Sequence, residues 1–131
     1  MERLHQTREE AIKWHRRMWK EMGIIEGDEC YVIKRTNFKR RYIQENFPGV
    51  DVTNDCFLCS YALNKALDNL EEKFGGAVDK GLGLTHMCEY CPLKWGHIEN
   101  YFDCENKYYG VNWKSGPCSL IAGLEERTDN I

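Results

Sequence analysis

Two Cys-x-x-Cys pairs constrain the fold of this chain more than any other feature of its sequence. The first pair is Cys56 and Cys59, and the second is Cys88 and Cys91. Two turns of this kind supply the four thiolates of a tetrahedral zinc site, and their backbone N–H groups donate hydrogen bonds to the sulfurs. Four sulfur ligands leave no open coordination position, so the sequence predicts a structural Zn²⁺ whose binding energy contributes to folding. The spacing alone leaves iron open as an alternative metal.

Three further cysteines, Cys30, Cys104 and Cys118, lack this spacing, so a second complete metal site is not expected. Cys104 follows the second pair in the sequence and is the first alternative ligand to consider. We expect Cys30 and Cys118 to be buried thiols. His86 and His97 are also alternatives, although histidines in such positions are more often structural. Seven cysteines cannot all pair within one chain, which favours a reducing compartment over a disulfide framework.

The chain length of 131 residues predicts one small domain, 1–131. We divide this domain into a basic helical part, 1–49, and a zinc-knuckle part, 50–131. The net charge is +3 over 1–47 and −6 over 48–131. No apolar run approaches the roughly 20 residues of a membrane span, and the start of the chain does not resemble a signal peptide. We therefore expect a cytoplasmic protein without a membrane partner.

Apolar residues recur at helical spacing along much of the chain, which predicts a mainly α fold with little β structure, held by a four-cysteine zinc-knuckle staple. Cys30 to Ile33 fit either a short strand or a helix. The predicted helices are 3–22, ended by Gly23; a helix capped by Thr36 or Asn37 and ended at Pro48; 59–74; and a short helix that begins at Pro117.

A basic stretch in the first part of the chain offers a nucleic-acid-binding alternative. Its cations are interleaved with aromatic residues that could stack on bases, although a solvated helix face has the same composition. The aromatic residues are Tyr31, Phe38 and Tyr42. The cations are Lys34, Arg35, Lys39, Arg40 and Arg41.

Catalytic motifs give no support for an enzyme, so we predict a non-enzymatic protein. The His97-Ile98-Glu99 run matches the start of a zinc deaminase motif, but Ile121 stands where that motif requires its last cysteine. Phosphate loops, paired zinc-protease histidines and nucleophile elbows are missing from the sequence. An enzyme whose open metal site uses Cys104 or a histidine remains a third hypothesis.

The residues around the cysteine pairs also resemble a group of known proteins. The runs 54–62 and 88–95, together with Cys104, Tyr109 and Trp113, resemble small cysteine-rich proteins of phages and prophages of Gram-positive bacteria. This resemblance implies a bound zinc ion and an accessory or regulatory role in the host cytoplasm, because such phage proteins bind host enzymes or block antiviral defence. We therefore predict a zinc-stabilised binding protein with a host or defence protein as its partner.

Overall fold

Four α-helices make up most of the part of the chain that the computed structural model describes, which comprises residues 2–52, 55–75, 87–95, 104 and 111–128. The prediction of a mainly helical fold with little β structure is confirmed. The helices are α1 (Arg8–Glu26), α2 (Val32–Asn46), α3 (Phe57–Phe74) and α4 (Cys118–Ala122). The remaining regular elements are a 3₁₀ helix (Met87–Tyr90) and two short parallel strands, β1 (Glu2–Arg3) and β2 (Val50–Asp51).

Helix α1 differs from the predicted helix 3–22 at both of its ends. A capping box starts it, in which Thr7 Oγ1 accepts from the N–H of Glu10 at 3.2 Å and the Glu10 carboxylate accepts from the N–H of Thr7 at 3.0 Å. The helix continues past Gly23 and is capped by Gly27. A Cβ atom on Gly23 would lie 3.1 Å from the Cβ of Cys118, so this glycine permits a close approach to α4.

Helix α2 begins earlier in the chain than predicted. Its first residue is Val32, which settles the ambiguity between strand and helix at this point in favour of helix. The prediction that Thr36 or Asn37 caps the helix is wrong, because both lie inside it. The Thr36 hydroxyl donates to the carbonyl of Val32 at 3.0 Å, one turn earlier. The helix ends at Asn46, just before Pro48, as predicted.

The hydrophobic core lies where α1 contacts α2, α3 and α4. It contains side chains from all four helices and from the segment that follows the second cysteine pair. Its most deeply buried members include Trp19, Met22, Phe57, Leu58, Leu93 and Ile121. Among the described residues no helix has the length and apolarity that crossing a bilayer requires.

The end of the described chain packs beside the second cysteine pair. The N–H of Lys94 donates to the carbonyl of Glu125 at 2.9 Å, and the N–H of Arg127 donates to the carbonyl of Pro92 at 2.8 Å. The Arg8 guanidinium, at the start of α1, donates to the Arg127 carbonyl at 2.7 Å. These bonds join the first helix, the second cysteine pair and the C-terminal segment.

Candidate metal centre

The first cysteine pair stands at the N-terminus of α3. Cys56 is the N-cap residue, and its sulfur accepts a hydrogen bond from the N–H of Cys59 at 3.4 Å. A hydrogen bond with the Cys59 thiol is the main cause that lowers the pKa of Cys56, and the charge of Lys39 and the backbone N–H groups of Leu58 and Cys59 lower it further. Burial acts in the opposite direction. Cys56 is therefore more readily ionised than an ordinary cysteine thiol.

Two more thiols reach this pair from distant parts of the chain. The Cys59 thiol is within hydrogen-bonding reach of those of Cys104 and Cys56, and these contacts, with burial, raise the pKa of Cys59. Cys91 is buried, and burial is the main cause that raises its pKa to about 12. Negative charge on Cys56 and Cys104 raises the pKa of Cys91 further. Four thiols from three segments thus affect one another's protonation, and Cys104 is one of them.

The predicted ligand set was Cys56, Cys59, Cys88 and Cys91, with Cys104 as the alternative. The side chain of Cys88 lies outside the described residues, as do His86 and His97. Within the described residues, no group of three or more His, Cys, Asp and Glu side chains is arranged to hold a metal ion. The thiols affect one another's protonation, but this requires less exact positions of the sulfurs than tetrahedral coordination of one ion does. The ligand set therefore stays a prediction, now with Cys104 beside the first pair.

A buried arginine supports the second cysteine pair. Arg127 is 6% exposed, and its guanidinium donates to the carbonyls of Glu89 at 2.8 Å and Cys91 at 3.1 Å. The N–H of Leu93 also hydrogen-bonds to the sulfur of Cys91, which is the kind of N–H to sulfur bond expected in a zinc knuckle. Arg127 was not predicted as a site residue, because it lies 36 residues from Cys91 in the sequence.

A buried lysine acts electrostatically on the first cysteine pair. Lys39 is 5% exposed, and its ammonium lies 4.1 Å from the centre of the Trp113 ring. Its charge contributes to the lowered pKa of Cys56. The N–H of Trp113 in turn donates to the carbonyl of Cys104 at 2.9 Å. Thiolates at this site would attract the Lys39 ammonium, and Lys39 would offset part of their negative charge.

The basic stretch does not present all of its five cations to solvent. Arg35 is fully buried and donates to three carbonyls: Cys30 at 2.8 Å, Trp113 at 3.0 Å and Gly116 at 2.6 Å. It therefore cross-links the start of α2 to the segment before α4. Lys39 is buried as well. Two of the five predicted nucleic-acid contacts thus lie inside the protein.

The other three cations of the stretch are exposed, and each has a carboxylate nearby. Lys34 and Arg41 both lie 3.9 Å from Glu26, and Arg40 lies 3.1 Å from Asp55. A phosphate backbone would compete with these carboxylates for the same three cations. The nucleic-acid alternative therefore depends on fewer groups than the sequence indicated.

Five large apolar side chains at the end of α1 and the start of α2 are between 41% and 82% exposed. We call this set the apolar corner. A groove of about 370 Å³ adjoins it and is lined by Ile25, Phe38 and Tyr42 among others. Phe38 and Tyr42, which were expected to stack on bases, are buried, whereas Tyr31 is the most exposed residue of the corner. The apolar corner consists of Ile24, Ile25, Tyr31, Val32 and Ile33.

Comparison of this chain with known protein families, with curated proteins and with solved structures finds no match. The functional argument therefore depends on the residues themselves.

Proposed function

We propose that this chain is a zinc-stabilised, non-enzymatic binding protein that engages a protein partner through the apolar corner. The observation that carries the proposal is the exposure of Ile24, Ile25, Tyr31 and Ile33, at 76%, 66%, 82% and 71%. Large exposed apolar side chains favour burial against a partner, at roughly 1.5–3 kcal/mol for each side chain that is fully covered.

The charges around the corner indicate what kind of partner fits it. Asp28 and Glu29 are exposed in the turn between α1 and α2. The nearby Glu26 already has Lys34 and Arg41 as neighbours. A protein that presents apolar side chains bordered by cationic groups would complement this surface. The resemblance to phage accessory proteins suggests a host enzyme or a component of host defence as that partner.

The cysteine cluster serves a different purpose in this proposal. A zinc ion bound by Cys56, Cys59, Cys91 and either Cys88 or Cys104 would join α3, the 3₁₀ helix and the segment that contains Trp113. The ion would carry no open ligand position and take part in no reaction. It would stabilise the fold that holds α1 and α2 in place.

The binding proposal can be tested with a matched pair of surface variants. Ile25→Glu combined with Ile33→Glu places two charges in the apolar corner, whereas Phe74→Glu changes a similarly exposed residue, at 64%, near the end of α3. Proteins captured from an extract of a Gram-positive host are compared among wild type and both variants. The partner is then purified, and its affinity for each variant is measured by calorimetry.

We expect the corner variant to lose about 30-fold or more in affinity, and Phe74→Glu to bind like wild type. Equal affinities would overturn the assignment of the corner. Sedimentation over a range of concentrations tests the competing occupant, a second copy of this chain. If no protein is captured and the wild type self-associates while the corner variant does not, the apolar corner is a dimer interface and the proposed partner is wrong.

The metal proposal is tested separately, by metal analysis and X-ray absorption of the purified protein. We expect one zinc ion with four sulfurs at about 2.3 Å. Cys56→Ser and Cys91→Ser should lose the metal, and Cys30→Ser should retain it. Of Cys88→Ser and Cys104→Ser, the one that loses zinc identifies the fourth ligand. A folded wild type without metal would contradict the proposal.

A further inference from the structure

Cys30 and Cys118 form a second group of sulfurs. Their Sγ atoms lie 4.0 Å apart, and 88 residues separate them in the sequence. Cys118 is fully buried at the start of α4, whereas Cys30 is half-buried in the connection between α1 and α2. Both are free thiols. A disulfide requires about 2.05 Å between sulfurs, so a relative shift of about 2 Å would join them.

We propose that Cys30 and Cys118 are an oxidisable pair that forms a disulfide between the α1–α2 connection and α4. The two segments are already held in register by hydrogen bonds to Asp28. Its carbonyl accepts from the N–H of Cys118 at 2.7 Å, and its carboxylate accepts from the N–H of Ser119 at 2.7 Å. Cys30 lies outside both helices, so its sulfur can approach Cys118 without breaking a helical hydrogen bond.

The two sulfurs differ in access, which sets the order of the reaction. The oxidant is a low-molecular-weight disulfide. The thiolate of Cys30, the more exposed residue, attacks one sulfur of the oxidant, forms a mixed disulfide and releases one thiol. Cys118 then loses its proton and attacks the Cys30 sulfur, which releases the second thiol. Two electrons pass from the pair to the oxidant, and the thiol protons of Cys30 and Cys118 end on the two released thiols.

Burial raises the pKa of Cys118 to about 12, and the Arg35 guanidinium opposes this rise. Cys118 is therefore a poor first nucleophile in the folded protein. It can act as the resolving thiol once Cys30 carries the oxidant, because the mixed disulfide places an electrophilic sulfur beside it. The same burial shields the finished disulfide from external thiols.

The metal-loaded protein is equilibrated in buffers with increasing ratios of oxidised to reduced glutathione. Free thiols are then alkylated, and the protein is digested with trypsin. Cys30 and Cys118 lie in the tryptic peptides 21–34 and 115–127, each with one cysteine. We expect these two peptides to appear cross-linked, with a mass 2 Da below their sum, while the zinc content stays unchanged. The oxidised protein should melt roughly 5–15 °C higher, because the bond closes a long loop.

Two variants serve as controls. Cys118→Ala fits the buried site and should stop the reaction at a mixed disulfide between Cys30 and glutathione. Cys30→Ser should leave Cys118 reduced. Three results would overturn the proposal: both peptides alkylated in fully oxidised glutathione, wild type that stops at the mixed disulfide, or cross-links that join peptide 21–34 to the cysteine cluster.

Discussion

Protonation of His15 should make this protein sensitive to mild acid. His15 lies in α1 and is 1% exposed, and its Nε2–H donates to the carbonyl of Ile121 at 3.0 Å. Its Nδ1 is buried and has no hydrogen-bond partner among the described residues. Burial is the main cause that lowers the pKa of His15 to about 3, and the charges of Lys39 and Arg16 act in the same direction.

The size of the effect follows from the difference between the folded and unfolded states. The unfolded chain binds a proton on this histidine below a pKa of about 6.5, while the folded protein stays neutral there until about pH 3. The folded state therefore loses stability as the pH falls from 6.5 toward 3 and keeps it above 6.5. Between pH 7.5 and pH 5 this loss amounts to about 2 kcal/mol.

The assay is urea unfolding at several pH values between 7.5 and 5, with wild type, His15→Gln and His5→Gln. The glutamine at position 15 can still donate to Ile121 but does not titrate. We expect a smaller loss of stability on acidification for His15→Gln, by about 2 kcal/mol at pH 5. His5 is exposed, so His5→Gln should follow wild type. Other acid-sensitive groups, including the cysteine cluster, affect all three proteins equally. Parallel pH curves for wild type and His15→Gln would refute the reasoning.

Three substitutions test other parts of the structure by chemical denaturation. Arg35→Lys removes hydrogen bonds of a buried cation and should lower the free energy of unfolding by about 2–4 kcal/mol. Arg40→Lys, at the surface, should lower it by less than about 0.5 kcal/mol, and equal losses would contradict the burial of Arg35. Gly116→Ala should lower the free energy of unfolding by about 1–3 kcal/mol, because the added Cβ would lie 2.6 Å from a methyl group of Val111, and an unchanged unfolding midpoint would contradict this close packing. Thr7→Ala removes the capping box of α1 and should lower the free energy of unfolding by about 1 kcal/mol. A variant as stable as wild type would show that this cap does not stabilise the protein.

Local patterns in the sequence predicted the local structure well. The apolar spacing predicted the helical fold class, and Pro48 and Pro117 predicted the end of α2 and the start of α4. The predicted ends of α1 are wrong. A capping box at Thr7 starts the helix, and Gly23 does not end it but lies inside it, where the missing side chain makes room for α4. A glycine has the same letter in either role, so only packing distinguishes them.

The sequence by itself determined the two cysteine pairs, and with them the hydrogen bond that holds Cys59 to the sulfur of Cys56 at the start of α3. Only the tertiary structure decided that Cys104 joins this pair while Cys30 meets Cys118. The tertiary structure also places Arg35, a candidate for phosphate contact, inside the protein, where it donates a hydrogen bond to the carbonyl of Gly116. The physical reason is that spacing along the chain governs contacts within a turn or a helix. Contacts between residues far apart in the sequence depend on how whole helices pack, which the spacing of residues does not record.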